Sequence, residues 1–178
     1  MRFSSFIVLA SLIVSSFAST AADVQNDIVT ITARINTLDT SITAFGLPGG
    51  TLTQALAIHN NAVTLGTALD KGTTDATNVT PNPVSPTDGR AILTALEATE
   101  TTISRALTNV VARKAAFNAL PIGGIPALVK QDLANLSAST AKFEAALIAA
   151  ASADLIAEAT AFKGRVDGYF AVAIAAYA

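Results

Sequence analysis

Apolar residues recur along this chain at intervals of three and four, with polar residues filling the positions between them. Val24, Ile28, Ile31, Ile35, Leu38, Ile42 and Phe45 form a seam spaced 4, 3, 4, 3, 4, 3 without a break. That period places all seven on one side of an α-helix, and it predicts a helix over 23–45. The intervening Thr30, Thr32, Thr37, Thr40 and Thr43 would favour a strand by propensity. Period outweighs propensity here, because a half-buried strand demands alternation and the apolar positions do not alternate.

Four more helices follow from the same pattern. A second is predicted over 51–70, with Leu52, Leu56, His59 and Val63 on one stripe and Ile58, Leu65 and Leu69 on another, as contact with two neighbours would require. The third is the longest signal in the chain, 85–120. Ser85 is placed to cap it, Pro86 fits its first turn, and Asp88 stands where a capping box puts its acid. Its stripe runs through Ile92, Leu96, Thr99, Ile103, Ala106 or Leu107, Val110, Lys114 and Phe117. At roughly 50 Å long, it needs partner helices along its length. A fourth, from near Pro126 to Ala151, presents Val129, Leu133, Leu136, Thr140, Phe143 and Leu147; a fifth, capped by Ser152 or Asp154, presents Leu155, Ala159, Phe162, Val166, Tyr169 or Phe170, Ala173 or Ile174, and Tyr177.

Turn chemistry sets the connections. Gly46 to Gly50, and Pro121 with Gly123 and Gly124, punctuate the ends of helices one and three. Such short turns favour antiparallel neighbours, and the expected fold is all-α, an up-and-down bundle of five helices. Residues 73–84, with Pro81 and Pro83, read as the longest surface loop. Gly164 and Gly168 fall inside helix five, where each costs about 1 kcal/mol relative to alanine. Tolerance, rather than a close backbone approach, is the expected account of them.

The N-terminus departs from this pattern. Met1-Arg2, an apolar run over 6–14, and the small residues Ser16, Ala18, Thr20, Ala21 and Ala22 make a signal peptide, assigned to 1–21 with cleavage between Ala18 and Ala22. The apolar run is about half the roughly 20 residues a membrane span requires. A single domain is expected over 22–178, secreted to the extracellular space or cell wall. Removing the signal peptide takes away Arg2 and no acid, leaving ten of the eleven basic residues against thirteen acids and moving the net charge from -2 to -3. With no cysteine, stability must come from helix packing. Charged residues are only 13% and mean hydropathy is +0.51, a weakly charged surface with no basic cluster longer than Arg113-Lys114. No nucleic-acid partner is expected.

Reactive chemistry is sparse. The chain has one histidine and no cysteine, which excludes thiolate and histidine-rich metal sites. A serine nucleophile would depend on His59, and no G-x-S-x-G turn exposes a serine. Asp23, Asp27, Asp88 and Asp154 are assigned to capping and solubility. No catalytic residue, metal ligand or cofactor is expected. What remains is the apolar interior and the polar groups placed on it. His59, Thr99 and Thr140 occupy stripe positions that call for apolar side chains, and buried polar groups need partners. Two readings stay open: ordinary core residues bonded to nearby carbonyls, or contacts to the head group of an apolar ligand held between helices. The candidate ligand-binding set is His59, Thr99, Ile103, Phe117, Thr140, Phe143 and Phe162. Asn78-Val79-Thr80 and Asn135-Leu136-Ser137 are glycosylation sequons, so glycans and wall polysaccharide also stand as partners.

The order of several motifs carries a resemblance. The helix over 24–45 with Leu38-Asp39, Leu52-x-x-Ala55-Leu56-x-Ile58, the Ser85-Pro86-Thr87-Asp88 entry, Lys114-x-x-Phe117, Asp132-Leu133-x-x-Leu136, Phe143-x-x-Ala146-Leu147 and the terminal Asp167-x-x-Phe170-x-x-Ala173-Ile174-x-x-Tyr177 together resemble the fungal hydrophobic surface-binding proteins, also described as cell wall galactomannoproteins. The resemblance covers nearly all of the chain after the signal peptide. Arg113-Lys114 stands where relatives tend to have Lys-Lys. The resemblance implies a secreted, all-helical, non-enzymatic protein that adsorbs to hydrophobic surfaces or holds a fatty acid inside a helical bundle. The alternative function is a structural glycosylated wall mannoprotein with no lipid ligand.

Overall fold

The computed structural model describes residues 18–47 and 49–178, so most of the expected signal peptide lies outside the described residues. Seven helical segments are present: α1 (Ala21–Ala44), α2 (Leu52–Thr77), α3 (Pro86–Glu97), α4 (Glu100–Ala112), α5 (Lys114–Asn118), α6 (Ile125–Ala150) and α7 (Ile156–Ala176). Segments α3, α4 and α5 are the long third helix in three pieces, so the chain builds five rods. Among the described residues, extended pairing is limited to one bridge between Ser19 and Val79.

Local sequence explains most helix ends. Thr20 and Asp23 form a capping box at the start of α1, and Thr51 and Gln54 form another on α2. Ser85 caps α3 by accepting from the Asp88 N–H, with Pro86 in the first turn. At α7 neither Ser152 nor Asp154 caps as expected. Ser152 is buried and its backbone oxygen accepts from Leu155, which starts the helix without a side-chain cap. The threonines of α1 and α2 are tolerated because Thr30, Thr32, Thr37, Thr40, Thr64 and Thr67 each donate to the carbonyl four residues back.

The third rod is interrupted at two places that its apolar period did not reveal. At Thr99 the N–H bonds to Leu96 O, three residues back, and the buried Thr99 hydroxyl takes the same carbonyl at 2.6 Å, tightening one turn. At Arg113 the N–H is shared between Asn109 O and Val110 O. The Arg113 guanidinium donates to Phe45 O, Thr43 O and Asn109 O, so it occupies the C-terminal end of α1, where a cation is favoured. Lys114 donates from Nζ to Ala176 O at 2.6 Å and does the same for α7.

Cross-rod bonds fix the directions. Lys71 pairs with Asp27 and Asn61 with Ser41, so α1 and α2 are antiparallel. His59 pairs with Asp132 and Asp70 with Ser139, so α2 and α6 run parallel. Arg105 bonds Asp39 and Asn109 bonds Thr43, placing α4 parallel to α1. Arg165 bonds Glu100 and Tyr177 bonds Val110 O, placing α7 parallel to α4. The rods alternate up and down in chain order, and in space they close a ring: α1, α2, α6, α7, then α3 with α4, back to α1. The turn after the third rod therefore does not lay it lengthwise beside the fourth as expected; the two meet mainly through short α5.

All seven positions of the α1 seam are buried. On α2 the expectation divides. Ile58, Leu65 and Leu69 are core, whereas Leu56 and Val63 of the other stripe are exposed, and Ala55, Ala62, Gly72 and Ala76 supply the remaining contacts. The expected long loop is shorter, because α2 continues to Thr77. It is also tied down: Val79 and Val84 are buried, Ser19 exchanges backbone bonds with Asn78 and Thr80, and Val84 donates to Ala150 O. Asp27 is not a solubility residue on a polar face but a buried carboxylate paired with Lys71 at 2.6 Å. Burial is the main cause raising its pKa.

Candidate functional site: an apolar cavity inside the ring

Five rods around a ring leave space at the centre that their side chains do not fill. All five contribute to the wall of a central cavity: Ile31 and Ile35 from α1, Leu65 and Leu69 from α2, Thr99 and Ile103 from the third rod, Thr140 and Phe143 from α6, and Phe162 and Phe170 from α7. Its atom-free space, about 660 Å³, is counted out to where the gaps between rods meet solvent and includes open solvent there. A second apolar cavity, its atom-free space of about 420 Å³ likewise counted out into open solvent, is walled by Val24, Val79, Val84, Leu93 and Leu155 among others and lies toward the end of the bundle where α1 begins. A smaller void between Leu93, Leu96, Glu144, Leu147 and Phe162 lies between them, and Leu96 borders all three spaces.

Five of the seven candidate residues meet in the central wall: Thr99, Ile103, Thr140, Phe143 and Phe162. Two do not. Phe117 is buried at the far end of the bundle, its ring stacked on Phe45. His59 is half-buried at the seam of α2 and α6, with Nδ1 2.9 Å from an Asp132 carboxylate oxygen. The seam partly desolvates Asp132 and raises its pKa, against the lowering effect of His59. Among the described residues no serine or threonine hydroxyl bonds to the His59 ring, and no cluster of metal-ligating side chains is present.

The polar group that sequence reasoning missed is Glu144. It lines the central cavity one turn beyond Thr140, is 4% exposed, and neither carboxylate oxygen has a hydrogen-bond partner. The nearest cation, Lys163 Nζ, is 3.8 Å away and is engaged with Asp167 at 2.6 Å. Burial pushes the Glu144 pKa up to about 7. The signal was available: Glu144 stands four residues after Thr140 and three before Leu147, inside the stripe of the fourth helix.

Known proteins of similar sequence and shape exist. The family described as HsbA, hydrophobic surface binding protein A, matches residues 21–149. The chain belongs to this family. Among solved structures, Afmp4p in complex with palmitic acid is 29% identical with a TM-score of 0.81, over 89% of this chain and 99% of that one. Ligand binding domain 1 of the Penicillium marneffei MP1 protein, complexed with arachidonic acids, is 15% identical with a TM-score of 0.78, again over 89% and 99%. Domain 2 of the same protein, complexed with multiple arachidonic acids, is 16% identical with a TM-score of 0.76, over 86% of this chain and 93% of that one. The last two likenesses concern the fold. No curated protein matches the chain. As an HsbA protein, the chain places its polar exceptions, Thr99, Thr140 and Glu144, on the wall of an interior otherwise made of aliphatic and aromatic side chains. No helix among the described residues is long and apolar enough to cross a membrane.

Proposed function

We propose that this HsbA protein is an exported, non-catalytic binder of long-chain lipids that houses an acyl chain in the central cavity between its five rods. The observation that carries the reading is the apolar cavity bordered by every rod. Transfer of an acyl chain from water to such walls is favourable by about 0.8 kcal/mol per buried methylene. The palmitic acid complex of Afmp4p supports fatty acids as the ligand class. Thr99, Ile103, Thr140, Phe143 and Phe162 are the proposed contacts. His59 and Phe117 then act in packing.

Adsorption to hydrophobic surfaces through the outside of the bundle receives less support. The large exposed apolar residues, including Val29, Val63, Ile122 and Val172, are spread over different elements, and singly scattered apolar residues are ordinary for a protein surface. Export fits the N-terminal geometry. Cleavage after Ala18 keeps Ser19, which bonds Asp75 and brackets Val79, and Thr20, which caps α1. A cut after Ala21 would remove both.

Native mass spectrometry of the secreted protein tests the reading. The expected result is a mass increment of one or more fatty acids that denaturation releases, with uptake of added palmitic acid by the delipidated protein. An empty, glycosylated species that takes up no palmitic acid would instead favour the structural wall-protein reading. Simple fatty-acid esters should show no turnover, in wild type or His59→Ala.

A further inference from the structure

We propose that Glu144 is the head-group acceptor of the central cavity, holding a lipid by an O–H hydrogen bond and a fatty acid by one proton shared between two carboxyl groups. The inference rests on the lipid-binding reading above and adds to it the chemistry of the head group.

A buried carboxyl with no partner is a costly arrangement that a ligand donor would relieve. Neither Glu144 oxygen accepts a hydrogen bond, and both lie in an apolar wall. The groups facing it are few. On its own helix Thr140 stands one turn away; from α7 come Lys163, at 3.8 Å, and Asp167, which holds the Lys163 ammonium. The faces that α1, α2, α3 and α4 turn toward the cavity carry Thr99 and otherwise apolar residues, with no titratable side chain. Nothing else in the wall can bind an O–H group and also exchange a proton.

The two head-group chemistries behave differently with pH. An alcohol donates its O–H to Glu144 in the ionised form and accepts from it in the protonated form, so no proton need be exchanged with solvent. A fatty acid in neutral water arrives as a carboxylate, and two carboxylates in contact cannot both stay ionised. Below about pH 7 Glu144 already holds its proton and donates it to the incoming carboxylate. Above that value the pair must take one proton from solvent. Affinity for the acid should therefore be flat below about 7 and fall about tenfold per pH unit above it, while affinity for the alcohol should stay level. The net single negative charge of the loaded pair faces the Lys163 ammonium.

Titration calorimetry of the full chain with dodecanoic acid and with 1-dodecanol, at about pH 6 and about pH 8.5 in buffers of different ionisation enthalpy, tests this. The expected result is a loss of about 30-fold in dodecanoic acid affinity between the two pH values, with uptake of about one proton at the higher. Dodecanol should show neither effect. Glu144→Gln, whose amide can donate to a carboxylate, should bind dodecanoic acid with no proton uptake and less than about a threefold change over the same range. Equal affinity for the acid at both pH values in wild type, or a pH-dependent loss that persists in Glu144→Gln, would overturn the assignment while leaving lipid binding intact. Failure of both lipids to bind at either pH would remove the lipid-binding reading and this inference with it.

Discussion

Phe45 and Phe117 lie almost face to face, their ring centroids 4.3 Å apart and their planes inclined by 25°. One ends α1 and the other lies in α5, so the stack joins the first and third rods where Arg113 also holds the α1 carboxyl terminus. Both rings are fully buried, and neither borders the central cavity. Phe117→Ala should therefore cost about 3–5 kcal/mol of stability. Measured well below its melting temperature, the variant should keep wild-type palmitic acid affinity. A selective loss of binding with little change in melting would place Phe117 in the site after all.

Glu144 ties stability to pH. Its folded-state pKa, about 7, lies above the ordinary value of 4.5, so the folded chain holds that proton more tightly than the unfolded chain does. The resulting stabilisation is fully present below about 4.5 and is lost as pH rises through 7, an effect of up to about 3 kcal/mol. Asp27 and Asp132, also raised, act in the same direction at lower pH. Asp75 and Glu100, held down by their bonds to Lys71 and Arg165, act in the opposite one. The difference between wild type and Glu144→Gln isolates the glutamate. Denaturant unfolding should show the variant gaining on wild type between about pH 5 and pH 8, with a level difference above that.

Gly164 and Gly168 occupy exposed positions inside α7, and a Cβ built on either meets nothing within 4 Å. Neither glycine is required by a neighbour. Gly164→Ala and Gly168→Ala should each stabilise by about 0.5–1 kcal/mol, through helix propensity and a less flexible unfolded chain. Thermal unfolding of the singles and the double checks this, and a loss of stability would show that a closer neighbour exists than the geometry gives.

Leu96 borders the central cavity, the second cavity and the void between them. An acyl chain longer than the central cavity accommodates has to pass this side chain. Leu96→Phe should narrow the junction and weaken binding of a twenty-carbon fatty acid more than that of a twelve-carbon one, by about tenfold or more in the ratio of the two affinities. An unchanged ratio in competition binding would mean that the two spaces act separately.

How much of this was legible in the sequence differs from residue to residue. The three-and-four period of Val24 to Phe45 fixes which side of α1 is buried, and Ser85, Pro86 and Asp88 fix where the third rod begins, because both are local properties of a helical backbone. The same period placed Thr99, Thr140 and Phe143 on interior stripes. It could not separate them from Phe117, which lies on the same stripe as Thr99 yet ends up sealing the bundle instead of lining its cavity. A stripe specifies direction around a helix axis, not depth along the bundle or the identity of the partner.

The sequence by itself determined five amphipathic rods, the Ser85 cap that begins the third, the Gly/Pro turns, and an interior with few polar groups. Only the tertiary structure decided that the rods close a ring with α2 parallel to α6, that the third rod is interrupted at Thr99 and Arg113, and that Glu144 lies on the wall of an apolar cavity without a hydrogen-bond partner. The physical reason is that helix period and capping come from interactions within a few residues. A cavity is space left where five separate surfaces fail to meet, and its shape depends on contacts between residues far apart in the chain.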